Sequence, residues 1–313
     1  MGIRIIGTGK YLPKTKMKNT DFDATLETSD EWIRSHTGIK ARRIANKEET
    51  TSDLAAKACE QAIAEAEKQI DIQDIDIIIC ATATGDYKGF PSTACVVQKK
   101  LGAKNAFAFD ITAACTGFVY ALETAQSLLK VNNKKYALVI GAEVLSKVLD
   151  WGDKSTCVLF GDGAGAVLLE NVEGEAGIQK SILGSDGEGE KYLYIDKKDH
   201  LKMNGRAVYN FAVDKITTMI GEIMQTENLS QGDLDYIVCH QANERIIQAA
   251  AKRLKFSNDK FIYNLAEYGN TSAATIPITL RDMQEKGLLK KGMKIILTGF
   301  GAGLTWGITY LVW

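Results

Sequence analysis

None of the six cysteines in this 313-residue sequence pairs with another as C-x-x-C. Cys59, Cys80, Cys95, Cys115, Cys157 and Cys239 are scattered, which argues against a structural zinc frame and fits a reducing compartment without disulfides. Proline is scarce, at three residues, and no low-complexity stretch occurs, so no linker punctuates the chain. An excess of either charge is missing too. Lys and Arg number 38 against 39 Asp and Glu, for a net charge of -1. The whole molecule is therefore unbiased toward nucleic acid or an anionic membrane, and any basic binding site must be local. Long hydrophobic runs are absent: Ile77-Ile78-Ile79-Cys80-Ala81 is far too short to span a bilayer. The N-terminal residues lack the charged and apolar regions of a secretory signal, and neither a myristoylation nor a prenylation pattern is present. The expectation is a cytoplasmic protein with no membrane and no nucleic-acid partner.

What is present is alternation. Thr51 to Glu67 reads as a helix with Asp53 at its start, and Val208 to Thr226 reads as another. Short β-rich runs at 76–81, 105–111, 136–141 and 164–170 are answered by runs at 235–239, 293–298 and 304–312. Four short segments recur in the same order. Asp74–Cys80 resembles Asp233–Cys239, Gly89–Ala94 resembles Gly269–Ala274, Tyr136–Gly141 resembles Met293–Gly299, and Phe160–Gly165 resembles Phe300–Gly303. The pattern predicts an α/β architecture of mixed sheets sandwiched by helices, in two similar halves, 1–170 and 171–313. Gly161-Asp162-Gly163-Ala164-Gly165 imitates a dinucleotide fingerprint, but Val167-Leu168-Leu169 after it reads as a strand where that motif needs a helix. Gly7-Thr8-Gly9-Lys10 lacks P-loop spacing and reads as a strand end.

Three residues carry candidate chemistry. Cys115 lies in Phe109-Asp110-Ile111-Thr112-Ala113-Ala114-Cys115-Thr116-Gly117-Phe118, between an apolar run and a helical pattern. A thiol at a helix N-terminus is expected to favour the thiolate, and strand–turn–Cys–helix is a common way to present a nucleophile. The plainer alternative is a buried structural cysteine. His240, one of only three histidines, follows Tyr236–Cys239 and enters a helical stretch. Asn270 stands in Gly269-Asn270-Thr271-Ser272-Ala273-Ala274; alone it would read as a helix cap.

Together these motifs resemble the three active-site motifs of β-ketoacyl-[acyl-carrier-protein] synthase III, in order and spacing. Phe160–Gly165, Phe300–Gly307, Ser29-Asp30-Glu31-Trp32-Ile33 and Thr37-Gly38-Ile39 are similar to further signatures of that family, and the resemblance covers essentially the whole chain. It implies a thiolase-like fold of two αβ halves in a five-layer αβαβα sandwich, and a homodimer. It also implies that Cys115, His240 and Asn270 are catalytic. Cys115 would take an acyl group from a coenzyme A thioester, with the backbone N–H groups of Cys115 and Ala302 as the oxyanion hole. Malonyl-acyl carrier protein would follow, lose CO2, and attack the acyl-Cys, with His240 and Asn270 donating to the enolate oxygen. No permanently bound cofactor and no metal is implied. The Cys-His-Asn set separates the chain from Cys-His-His elongating synthases and from thiolases with a second site cysteine.

The resemblance further places Trp32, His36, Lys154 and Asn243 at coenzyme A, with His36 and Lys154 standing where arginine is frequent. It places Gln241, Ala242, Asn243, Glu244, Arg245, Lys252 and Arg253 at the acyl carrier protein, and Phe90 in the acyl pocket, partly from the dimer partner. Asn210 stands where some relatives carry a carrier-contacting lysine. Arg245, Lys252 and Arg253, seven and eight residues apart, would share one helix face. Two alternatives stay open: a Cys-His-Asn enzyme of secondary metabolism or acyl–acyl condensation, and a silent acyl-CoA or carrier-binding module.

Overall fold

The computed structural model describes residues 2–22, 24–174 and 177–313. The first half contains β1 (Gly2–Tyr11), β2 (Thr15–Lys18), α1 (Asp30–Thr37), β3 (Ala41–Ile44), α2 (Thr51–Ala64), β4 (Ile75–Ala81), α3 (Thr93–Leu101), β5 (Phe107–Ile111), α4 (Gly117–Val131), β6 (Tyr136–Glu143) and β7 (Gly163–Val172). The second contains β8 (Gly177–Ser185), β9 (Leu193–Ile195), β10 (Leu201–Met203), α5 (Gly205–Thr226), β11 (Tyr236–Cys239), α6 (Glu244–Leu254), β12 (Phe261–Ile262), α7 (Leu265–Tyr268), α8 (Thr275–Glu285), β13 (Lys294–Gly301) and β14 (Thr305–Val312).

The same strand order occurs twice. The first five-stranded run is β5-β4-β6-β7-β1 and the second β12-β11-β13-β14-β8. Numbered in chain order within each run of five, the strands stand as third, second, fourth, fifth, first in both. The two runs meet where β1 and β8 lie parallel through one registered pair, Ile3 and Gly177. The division expected near residue 170 falls inside β7, which runs on to Val172.

Period-two alternation sorts the strand side chains between layers. Ile77, Ile79, Val139 and Val167 of the first sheet and Val238, Ile295, Leu297 and Leu311 of the second face a shared interior. There they enclose Phe118, Leu122, Ala125 and Leu129 of α4 and Ile276, Leu280 and Met283 of α8. On the outer face of the first sheet, Ile78, Ile140 and Leu168 pack against Leu54 and Ala58 of α2 and Val97 of α3. On the outer face of the second, Ile237 and Ile296 pack against Ile216 and Ile220 of α5 and Ile246 of α6. Helix, sheet, helix, sheet, helix is the five-layer sandwich. Because both sheets are covered on both faces, their strands read as near-continuous apolar runs.

Local chemistry sets the helix ends. Thr50 and Asp53 cap α2 reciprocally, with Asp53 N–H donating to Thr50 Oγ1 at 3.3 Å and Thr50 N–H to Asp53 Oδ2 at 3.0 Å. That helix stops at Ala64 instead of Glu67, because the Glu67 N–H turns to the Ile6 carbonyl at 2.9 Å. Among the described residues no helix is long and apolar enough to cross a membrane. The glycine-rich run at 161–165 leads into β7, so no helix N-terminus stands there for a dinucleotide.

Candidate active site

β5 delivers the chain to a tight turn, Ala114 adopts a left-handed conformation (φ 47°), and a 3₁₀ turn over Ala114–Thr116 precedes α4. A positive φ at a residue with a Cβ is uncommon and marks a turn fixed by its surroundings. Those surroundings are the β13–β14 hairpin. Thr305 Oγ1 donates to the Ala113 carbonyl at 3.2 Å, and Thr116 Oγ1 donates to the Thr305 carbonyl at 3.2 Å. Gly301 lies so close that a Cβ there would sit 2.8 Å from the Cys115 nitrogen.

Cys115 lines a mostly apolar cavity of about 230 Å³ with Ala302, Ser272, Leu145, Phe160 and Leu201. Burial pushes its thiol up to about 12, Glu143 adds to that rise, and the Ser272 hydroxyl and Cys115's own backbone oppose it. The expected lowering by a helix N-terminus is thus overcome by desolvation, and the resting sulfur is a thiol. To act as a nucleophile, a thiol in that state needs a proton acceptor.

His240 follows the last residue of β11, and its N–H donates to the Thr298 carbonyl at 2.7 Å. Its ring packs edge-on to Phe300, with centroids 4.9 Å apart. Burial holds the imidazole down to about 3, the Ser272 main chain partly opposing, so the ring is neutral. Among the described residues Nδ1 has no hydrogen-bond partner. Asn270 is fixed through its main chain, donating to Leu159 and accepting from Gly161. Its Oδ1 accepts from the Ser272 N–H at 2.8 Å, which leaves the amide NH2 as the free end.

Ser272 therefore bears on all three residues. Its N–H donates to Asn270 Oδ1, its main chain opposes the lowering of the His240 imidazole, and its hydroxyl opposes the rise of the Cys115 thiol, with which it lines one cavity. That hydroxyl also donates to the buried Glu143 carboxylate at 3.0 Å. Sequence reasoning gave no role to Ser272 or Glu143. The one available signal was a carboxylate closing the apolar run 136–143.

The outer residues divide. Trp32 and His36, one turn apart on α1, stack with ring centroids 4.5 Å apart and planes inclined by 21°. One face of Trp32 is thus already covered. Lys154 is exposed, with Nζ donating to the Glu27 carbonyl at 3.4 Å. Asn243 caps α6 with Oδ1 and donates Nδ2 to the His36 carbonyl at 2.9 Å, so it clamps α6 to α1 and keeps one N–H free. Arg245 is exposed but also spends a donor on α1, with Nη2 reaching the Ser35 carbonyl at 2.7 Å. Lys252 and Arg253 are exposed, Arg253 within 3.6 Å of Asp214.

Gln241 corrects the expectation of a carrier contact. It is fully buried, its Nε2 donates to Thr279 Oγ1 at 2.9 Å, and its Oε1 accepts from the Asn264 N–H at 2.8 Å. No end of that amide faces solvent. Ala242 likewise packs on the core beneath α5 and α6, and Glu244 accepts from the Tyr263 hydroxyl at 2.9 Å. Phe90 is 90 % exposed and lies outside the residues that line the Cys115 cavity of its own chain.

Family models match two regions of this chain, and curated relatives match nearly all of it. Residues 109–187 match the family described as 3-oxoacyl-[acyl-carrier-protein (ACP)] synthase III, and residues 224–313 match its C-terminal region. The β-ketoacyl-[acyl-carrier-protein] synthase III of Clostridium acetobutylicum is 50% identical over 325 residues, covering 99% of this chain and 98% of the relative. That of Oceanobacillus iheyensis is 47% identical over 313 residues, covering 100% and 99%. The crystal structure of 3-oxoacyl-[acyl-carrier-protein] synthase III from Aquifex aeolicus superposes with a TM-score of 0.96 at 45% identity, covering all of both chains. Motifs, strand order and relatives agree, and the chain belongs to the β-ketoacyl-[acyl-carrier-protein] synthase III family, the condensing acyltransferases of fatty acid synthesis built on the thiolase-like fold.

Proposed function

We propose that this protein condenses a short acyl-coenzyme A primer with malonyl-acyl carrier protein, releasing coenzyme A and CO2 and giving β-ketoacyl-acyl carrier protein. Cys115 sulfur attacks the thioester carbonyl. The oxyanion accepts from the main-chain N–H groups of Cys115 and Ala302, which line one cavity. Coenzyme A leaves and the acyl group stays on Cys115. Malonyl-acyl carrier protein then enters and loses CO2. The enolate oxygen accepts from the neutral imidazole of His240 and the NH2 of Asn270, and the carbanion attacks the acyl-Cys carbonyl. Neither donor competes as a base, since burial keeps the ring neutral and the amide does not titrate. No step in this scheme calls for a metal or a redox cofactor.

The observation that carries the reading is the single turn at Ser272, whose N–H orients the Asn270 amide and whose side chain lines the Cys115 cavity. A silent binding module has no use for that arrangement. Trp32 offers its uncovered face to the adenine, and Lys154 offers a point charge to phosphate. The exposed α6 cations Arg245, Lys252 and Arg253 meet the acidic carrier. In the proposed homodimer the partner subunit's Phe90 closes the acyl cavity, which accounts for a large apolar ring left bare on one chain.

Intact-protein mass spectrometry of the carrier, after mixing the protein with malonyl-acyl carrier protein and a panel of acyl-CoA primers, tests this. The expected product is β-ketoacyl-acyl carrier protein with loss of CO2. Acylation of Cys115 without condensation would overturn the extender assignment, and a folded protein giving neither product would overturn the reading.

A further inference from the structure

Glu143 ends β6 inside the protein, fully buried. Its carboxylate forms no ion pair among the described residues. It is held instead by neutral donors: the Ala83 N–H at 3.1 and 3.2 Å to its two oxygens, Thr82 Oγ1 at 3.3 Å, Thr84 Oγ1, and Ser272 Oγ at 3.0 Å. The first three bind one strand end together. The fourth leads into the Cys115 cavity, which Ser272 and Cys115 both line. Other titratable groups in this region are acids and thiols: Cys115 beyond Ser272, Cys80 on β4, and Asp110 and Asp86, which act on Cys80 together with Glu143. His240, on which the Ser272 main chain acts, is a further base in the same region.

We propose that Glu143 is the proton acceptor for Cys115, reached through the hydroxyl of Ser272. This rests on the reading above, in which Cys115 takes the acyl group. As the sulfur–carbonyl bond forms, the Cys115 S–H bond breaks and its proton passes to Ser272 Oγ. The Ser272 hydroxyl proton passes to Glu143 Oε1, and the carboxylate becomes a carboxylic acid. When the tetrahedral adduct collapses, the bond from carbon to the coenzyme A sulfur breaks. The proton then returns through Ser272 to that sulfur and leaves Glu143 ionised. Nothing is oxidised or reduced. Burial places Glu143 at about 7, the side-chain and main-chain donors opposing it, whereas burial holds His240 down to about 3. Of the two, Glu143 is the stronger base, and it accepts a proton only when ionised, above about 7.

The test is single-turnover acylation of Cys115 by acetyl- and isobutyryl-CoA, without malonyl-acyl carrier protein, read by intact mass from about pH 5.5 to about pH 9. The wild-type rate is expected to rise through about pH 7. Glu143→Gln loses that rise and falls by about 10²–10³-fold at high pH. Glu143→Asp keeps the rise at a lower rate. Ser272→Ala is as slow as Glu143→Gln, and the double variant is no slower than either. A Glu143→Gln rate within about threefold of wild type, or an unchanged pH profile at a uniformly lower rate, overturns the inference; the second outcome is what a purely structural role gives. If neither thioester acylates wild-type Cys115, the proposed function falls and iodoacetamide alkylation of Cys115 decides the proton link. A step near pH 7 in wild type and not in Glu143→Gln sustains the link, and its absence from wild type overturns it.

Discussion

The Ser272 main-chain N–H donates to Asn270 Oδ1 at 2.8 Å, so the serine fixes which end of the carboxamide is free. Asn270→Asp keeps the accepting oxygen and removes the NH2. The turn should hold, and Cys115 acylation by a small thioester should continue. Condensation should fall by about 10²–10³-fold, the usual cost of one donor to a developing oxyanion. Rapid-quench measurement of the two half-reactions checks this; equal loss in both would place Asn270 in the framework alone.

Gly301 makes a second, purely steric prediction. A Cβ there would stand 2.8 Å from the Cys115 nitrogen and 3.2 Å from its Cβ. Gly301→Ala must push the Cys115 main chain aside and with it the N–H proposed as an oxyanion donor. Acylation should fall by at least about 10²-fold, with a melting-temperature loss of a few degrees, since small-to-large changes in tight packing cost about 1–3 kcal/mol. Near-wild-type acylation would show that the cavity relaxes around the methyl.

Much of this arrangement was legible in the sequence, and the exceptions have physical causes. Apolar runs located the buried strands because both faces of each sheet are covered. β1 was legible only as a strand end at Gly7–Lys10, since its glycines answer a contact from far along the chain. A Cβ at Gly7 or Gly9 would meet the carbonyls of Ala62 or Ala58 on α2 at 2.1 or 2.0 Å. The resemblance placed Gln241 at the carrier, but its amide bridges Thr279 and Asn264 in the interior. Glu143 and Ser272 lie 129 positions apart, and no local pattern connects a strand's last residue to a turn that distant.

Acid stability follows from two buried groups that pull in opposite directions. Burial holds folded His240 down to about 3, below its ordinary 6.5, so the unfolded chain binds the extra proton and stability falls as pH drops from about 6.5 toward 3. Burial raises folded Glu143 to about 7 from 4.5, so it contributes stability below about 4.5 that is lost as pH rises through 7. Between about 4.5 and 6.5 the two partly cancel. In melting temperatures across that window, His240→Asn should remove the acid-side loss, whereas Glu143→Gln should steepen it. Identical slopes in all three proteins would remove both groups from the pH dependence.

Under the proposed function, charge reversal on α6 should separate carrier docking from primer binding, and Arg245 is not the clean probe its exposure promises. Its Nη2 holds the Ser35 carbonyl, and Ser35 lies between Trp32 and His36 on α1. Arg245→Glu should therefore raise KM for malonyl-acyl carrier protein and also loosen the helix that carries the adenine platform, raising KM for the primer. Lys252 is exposed and carries charge on the same helix. Lys252→Glu should raise KM for the carrier substrate alone, by roughly three- to tenfold at low salt, and the effect should shrink as salt screens it. Steady-state KM for each substrate at two salt concentrations distinguishes them. If Lys252→Glu leaves the carrier KM unchanged while Arg245→Glu raises both, α6 serves to brace α1, and the carrier docks on another face.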